Sequence, residues 1–184
     1  SGVRLTNGTP PSSLCPRIHE RKRSGKGLAL RSRMPFPKNI LVPTDFSDTA
    51  TEALDYAIDI AEKFGARVTV LHTFEIPLVG LPDGALVPTA DIAGRILNNA
   101  QQALDDTLEA RQDRGVELKG VLKQGEPRET ILAYAKDTGA DLIVMGTHGR
   151  RGLAHLLLGS IAEYVVRTSP QPVLTVRASE TAKR

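Results

Sequence analysis

The residues best suited to chemistry lie in the last third of the chain: Gly146, Gly149, Gly159 and Ser160, with His148, Arg150 and Arg151 among them. A short apolar run, Leu142 to Met145, ends abruptly in Gly146. That order reads as a buried strand, a glycine loop and a helix start. Glycine removes the Cβ that would keep backbone N–H groups away from a phosphate, and a helix N-terminus adds a favourable field for an anion. The pattern therefore points to a nucleotide held by main-chain amides. It is not a P-loop, since no Gly-x4-Gly-Lys-Ser/Thr segment occurs, and no Gly-x-Gly-x2-Gly fingerprint follows the first apolar run.

The elements that must position this loop alternate along the chain. Asn39 to Val42 reads as a short buried strand closed by Pro43. Ser47 is a good N-cap for a helix whose period runs through Glu52, Ala53, Leu54, Ala57, Ile58 and Ala61 to a stop at Gly65. Arg67 to His72 reads as a second strand, and 75–89, with three prolines and two glycines, as a long irregular connection. A helix is expected from about Asp91 to Arg114, with Ile92, Ile96, Ala100, Ala103, Leu104 and Leu108 on one face and Gly115 as its stop. Val116 to Lys123 alternates as a strand, Pro127 opens a helix through Lys136, and Leu142 to Met145 is the fourth strand. A helix over 159–168 and a strand over 172–176 complete five strands separated by four helices. Such alternation implies right-handed crossovers and a mostly parallel α/β sheet with helices on both faces. In the order 3-2-1-4-5 the loops after the first and fourth strands face one crevice, at the reversal of strand order where ligands bind.

Charge separates the chain into parts. Its 24 Lys+Arg and 21 Asp+Glu give +3, yet residues 1–34 hold eight bases and one acid, leaving 16 bases and 20 acids, a net of −4, in the remainder. The high isoelectric point thus belongs to a basic tail, and no nucleic-acid surface is expected on the fold. Residues 1–37 read as disordered, being rich in charge, Gly, Pro and Ser. They are either sequence upstream of a start at Met34 or a basic arm for an acidic partner. Residues 38–178 form the folded domain and 179–184 a C-terminal tail. The one cysteine, Cys15, allows no internal disulfide, which fits a reducing compartment. No apolar run is long enough to span a membrane. The expectation is a cytoplasmic protein.

Taken together, Gly146-x2-Gly149-x9-Gly159-Ser160, the opening Ile40-Leu-Val-Pro-Thr-Asp45-Phe-Ser47, the strand Val68 to His72 and the turn Gly125-Glu-Pro127 resemble the ATP-binding branch of the universal stress protein family over about residues 38–178. The resemblance implies a five-stranded adenine-nucleotide alpha-hydrolase-like sheet, a homodimer and bound ATP. It implies that Asp45 reads the adenine, where its carboxylate could accept the exocyclic amine; a helix-capping role fits the same position. Pro43 and Thr44 would shape the adenine and ribose wall, and the backbone edge of Thr73 would meet the base, as would Met145, unless Met145 is a core residue. Gly146 and Gly149 would let the loop wrap ribose and phosphates. Gly159, Ser160 and Ile161 would present amides and a hydroxyl to the phosphates, although Ser160 is equally explained as an N-cap. His148 and Arg150 could contact phosphate or be solvated loop residues. His72 reads as a hydrogen-bonded structural histidine.

The histidines at 72, 148 and 155 lack the spacing of a helical zinc site, so a divalent ion, Mg or Mn, would ride on the phosphates. No nucleophile–base set and no paired carboxylates stand out, so binding is expected without turnover and with no catalytic residue. The alternatives are a slow ATPase, a protein that phosphorylates itself on Ser160 or Thr147, and a nucleotide-free scaffold. The strand from Pro172 to Val176 is an expected sheet edge, available to pair with a second copy. A regulatory protein partner is expected, of unstated identity.

Overall fold

Strand β1 (Asn39–Thr44) is the centre from which the fold is built. The computed structural model describes residues 36–80, 86–88, 90–148 and 158–177. After β1 come α1 (Asp48–Phe64), β2 (Arg67–Phe74), a small hairpin of β3 (Leu78–Gly80) and β4 (Leu86–Pro88), and α2 (Ala90–Glu109). Next follow β5 (Leu118–Gln124), α3 (Pro127–Asp137), β6 (Leu142–Gly146), α4 (Ser160–Thr168) and β7 (Val173–Val176). The main sheet runs β5-β2-β1-β6-β7 with every pairing parallel. Counted along this sheet alone, that is the expected order 3-2-1-4-5.

Alternation along the strands divides the core between the two faces. Ile40, Val42, Val68, Val70 and Val144 pack with Leu54 and Ile58 of α1 and Leu104 of α2. Leu41, Leu71, Ile143 and Met145 pack with Ile131 and Ala135 of α3 and with Val165 of α4. Helix α1 begins at Ser47, whose Oγ accepts from the Ala50 amide at 3.3 Å, and ends at Gly65, which takes φ +62°. Its buried stripe is Ala50, Ala53, Leu54, Ala57, Ile58 and Ala61, with Glu52 half-buried alongside.

Three expectations need correction. Pro43 does not close β1. The Lys38 carbonyl accepts from Arg67 of β2, and the Asn39 carbonyl accepts from Asp141 on the β6 side. By alternation the even residues of β1 therefore face β2 and the odd ones face β6. Pro43 lacks its N–H on the β6 side, so β1 stays paired with β2 as far as Thr44–His72, whereas its pairing with β6 ends at Leu41–Ile143. Second, the connection over 75–89 contains the β3–β4 hairpin, with Val79 opposite Val87. Third, α2 stops at Glu109 and the chain tightens into a 3-10 turn over Gln112–Arg114. Residues three apart align on such a turn. Arg111 reaches Asp55 of α1 at 2.6 Å, and Arg114 reaches Asp59 and Glu62, both at 2.7 Å. These carboxylates hold the Arg114 guanidinium pKa above its ordinary value. Of the expected α2 face, Ala100 and Leu104 are buried, but Ile92 is 39% exposed.

Candidate functional site

The parting of β1 and β6 opens the carboxyl end of the sheet at the point where strand order reverses. One wall is the loop leaving β1. Pro43 is buried there, and Thr44 and Asp45 are half-buried. Asp45 Oδ1 accepts from the Ser47 amide at 3.1 Å and from Ser47 Oγ at 2.6 Å, so the carboxylate shapes the turn that leads into α1. Phe46 takes φ +62°, the one non-glycine residue at positive φ among the described residues. A bulky residue in the left-handed region is held there by its surroundings. Its amide donates to Thr44 Oγ1 at 3.0 Å. Its ring packs on His72, with centroids 4.5 Å apart. His72 Nδ1 in turn lies 2.8 Å from the Thr44 carbonyl, which makes it the structural histidine its strand-end position suggests. Thr73 is half-buried just past the last β1 pair. The alternation that turns Arg67 toward β1 turns the Thr73 carbonyl the same way.

The opposite wall is the exit of β6. Met145 is 5% exposed and sits in the core shared with α3 and α4. Gly146 has a reason beyond turn formation. A Cβ there would lie 2.9 Å from the carbonyl carbon of Thr49 and 3.1 Å from the Ala50 amide nitrogen. The strand therefore leaves the sheet against the bare backbone of the first turn of α1. Thr147 is buried at 3% exposure. Its amide donates to the Val176 carbonyl at 2.8 Å, its carbonyl accepts from the Gly159 amide at 2.7 Å, and its hydroxyl lies 3.0 Å from His148 Nδ1. Thr49 Oγ1 donates to the His148 carbonyl. Residues Gly149 and Arg150, both expected in the site, lie outside the described residues.

Three of the helices that follow this end of the sheet have a described N-cap, and they differ in one respect. The N-terminus of α1 is capped by Ser47, and that of α3 by Glu126, whose carboxylate accepts from the Glu129 amide at 3.0 Å. The N-cap of α4 is Gly159, with no side-chain cap. Ser160 and Ile161 open that helix and are both exposed, so Ser160 stands one position past the N-cap. A helix N-terminus whose N-cap offers no side-chain acceptor is a ready anion site. A Cβ on Gly159 would stand 3.2 Å from the Thr147 carbonyl oxygen, so glycine also lets α4 begin close against the β6 exit. Beside this start, Tyr164 donates to Glu129 Oε1 at 2.6 Å, joining α4 to α3 and raising the tyrosine pKa.

The structure thus brings Pro43, Thr44, Asp45, Thr73, Met145, Gly146, His148, Gly159, Ser160 and Ile161 to one end of the sheet. Sequence reasoning passed over Thr49. Nothing in its local pattern separates it from an ordinary first-turn threonine, because its partner lies 99 residues away. Among the described residues, no group of three or more His, Cys, Asp or Glu side chains is arranged to hold a metal, and no helix is long and apolar enough to cross a membrane.

Comparison with known proteins agrees with this architecture. The sequence pattern of the universal stress protein family matches residues 37–177. A universal stress protein of Methanocaldococcus jannaschii is 37% identical over 142 residues, which cover 76% of this chain and 82% of that protein. The solved structure of universal stress protein UspA from Lactobacillus plantarum superposes with a TM-score of 0.65 at 31% identity, covering 76% of this chain and 97% of that one. A universal stress protein in complex with cAMP shares the fold, with a TM-score of 0.61 at 24% identity over 78% of this chain and 99% of that one. With a match across nearly all of the described fold, and relatives above 30% identity aligned over most of their own length, the chain belongs to the universal stress protein family.

Proposed function

We propose that this protein binds an adenine nucleotide, ATP, in the crevice where β1 and β6 part, and that occupancy of the crevice is the signal it carries. The observation that carries the proposal is the contrast among helix starts: α1 and α3 spend the side chains of their N-caps on their first amides, and α4, whose N-cap is Gly159, has no such cap among the described residues. In this reading Asp45, Pro43, Thr44 and the Thr73 carbonyl receive the base and ribose, with Met145 beneath. Gly146, His148, Gly149, Arg150, Gly159, Ser160 and Ile161 surround the phosphates. Binding of cAMP by another protein of this fold is consistent with an adenine site in such a crevice. A Mg or Mn ion would be held through the phosphate oxygens. In this reading the protein acts as a binder and not as an enzyme: Asp45, the acid in the β1 loop, is engaged with Ser47 and would sit at the base, away from the phosphates.

The working unit is a cytoplasmic homodimer formed through β7. This strand ends the sheet, and its Val173, Leu174 and Val176 are half-buried in one copy. A regulatory protein partner reads the nucleotide state. Calorimetric titration with ATP, paired with thermal unfolding, tests the central claim. At a hundredfold excess over Kd a ligand stabilises the native state by about 2.7 kcal/mol. The absence of both heat and a thermal shift at millimolar ATP defeats the proposal.

A further inference from the structure

The exit of β6 is held from three directions. The Thr147 amide is bonded to Val176 of β7, the Thr147 carbonyl to the amide of Gly159 ahead of α4, and the His148 carbonyl to the hydroxyl of Thr49 on α1. The first two bonds are made by backbone and follow from the fold. The third is made by a side chain and can be removed without altering a strand or a helix. It lies where Gly146 already presses against Thr49, with carbonyl carbon and oxygen 2.9 and 3.0 Å from a Cβ position at 146. A hydroxyl carries one proton. A carbonyl can only accept, so the Thr49 proton is spent on His148; Ser47 Oγ–H is committed to Asp45 Oδ1 at 2.6 Å, and the 3.1 Å contact between the Ser47 and Thr49 hydroxyl oxygens carries no proton of its own.

We propose that Thr49 is a positioning residue for the phosphate end of the nucleotide site. Its hydroxyl fastens the His148 carbonyl to α1 and thereby sets the orientation of the backbone that follows Gly146. Gly146 and His148 are both among the residues placed about the phosphates above, so fixing this carbonyl fixes the stretch of backbone they share. Thr49 itself touches no ligand. The inference rests on the nucleotide reading above and names a residue through which phosphate affinity is set apart from recognition of the base.

The test uses the full chain in four forms: wild type, Thr49→Val, Thr49→Ala and Thr49→Ser. Each is titrated with ATP and with adenosine, and amide exchange is followed at 146–148 without ligand. Thr49→Val keeps the shape and loses the hydroxyl, Thr49→Ala loses it with less bulk should Val disturb α1, and Thr49→Ser restores it. Loss of one hydrogen bond of this kind is expected to weaken ATP about tenfold. Adenosine should stay within about twofold, the Ser variant should recover ATP binding, and ligand-free exchange at 146–148 should quicken in the Val and Ala variants only. Equal losses for adenosine and ATP, or normal ATP binding in both the Val and Ala variants of a protein whose wild type binds ATP, overturn the inference and leave the nucleotide reading standing. A wild type that takes up neither ligand removes the nucleotide reading, and this inference with it.

Discussion

The two ends of the sheet are finished with different chemistry. At the amino end, side chains tie the backbones of neighbouring strands together. Asp141 accepts from the amides of Lys38 at 2.9 Å and Asn39 at 3.2 Å, binding the start of β1 to the start of β6 across about a hundred residues. Asn39 Nδ2 donates to the Gly139 carbonyl, Lys38 Nζ to the Phe64 carbonyl, and Arg67 Nε to Asn39 Oδ1. At the carboxyl end the corresponding acid, Asp45, accepts from the amide and the hydroxyl of Ser47, two residues ahead, and so shapes its own turn. There, neighbouring strands part at Pro43, glycines bring main chain against main chain, and α4 starts without a side-chain cap. Where a carboxylate closes long-range backbone gaps, its role is stability. Where it shapes a turn beside strands that stop pairing, it sets one wall of the proposed nucleotide site.

The largest effect that could break this comparison comes from the two glycines of the carboxyl end. Gly146→Val places carbon inside the backbone of α1, with nothing flexible to yield, and is expected to lower stability by roughly 3 kcal/mol. Gly159→Val meets a single carbonyl oxygen at 3.2 Å. It should lower stability by about 1 kcal/mol while abolishing measurable ATP binding. Urea unfolding and calorimetry separate the two outcomes. A stable Gly146→Val protein that has lost only ATP would show that the α1 contact is not what requires glycine there.

A smaller effect sharpens the contrast between the acids. Removing Asp141 takes charged acceptors from two amides and should lower stability by about 2 kcal/mol, with ATP affinity unchanged. Asp45→Ala takes an acceptor from the Ser47 amide and hydroxyl and should lower stability by about 1 kcal/mol while weakening ATP about tenfold or more. Chemical denaturation and titration of both variants check this. Equal losses of stability, with ATP binding intact in both, would erase the difference between the two ends.

Much of the fold was legible because its signals are local. Short apolar runs before Pro43 and Gly146 marked β1 and β6, alternation marked β5, and Ser47 and Gly65 bracketed α1. The failures have long-range causes. Whether Pro43 ends a strand depends on which neighbour its missing donor faces, and that is a property of the sheet. The last turn of α2 tightens because acids on α1 draw in Arg111 and Arg114. The β3–β4 hairpin has strands of three residues within a Pro- and Gly-rich stretch, too short for any period to show. In the site the residue types could be read from spacing and family resemblance, but the reasons for them could not. Gly146 is needed because of Thr49, and the loop is fastened by that same distant threonine.

The smallest effect concerns pH and the belt joining α3 to α4 at the carboxyl end. The Tyr164 hydroxyl donates to Glu129 Oε1, and this bond holds the phenol above its ordinary value of 10.0. The Arg128 guanidinium, 5.8 Å from the ring centroid, acts in the opposite sense. A group whose pKa is raised on folding contributes its stability in full below the unfolded value and loses it as pH rises through the folded one. The link between α3 and α4 should therefore persist at neutral pH and fail only in alkali, above the range in which an exposed tyrosine titrates. Three tyrosines are present, so tyrosinate absorbance of wild type and Tyr164→Phe isolates this one by difference. The difference titration should lie above 10, and in Glu129→Gln it should move down toward it, because the amide accepts the phenol proton without the carboxylate's charge. ATP affinity at neutral pH should be the same in wild type and Glu129→Gln. A Tyr164 that titrates identically in both would mean that the two helices flanking the crevice are joined by packing alone, and that the carboxyl end carries even less side-chain stitching than the contrast with Asp141 requires.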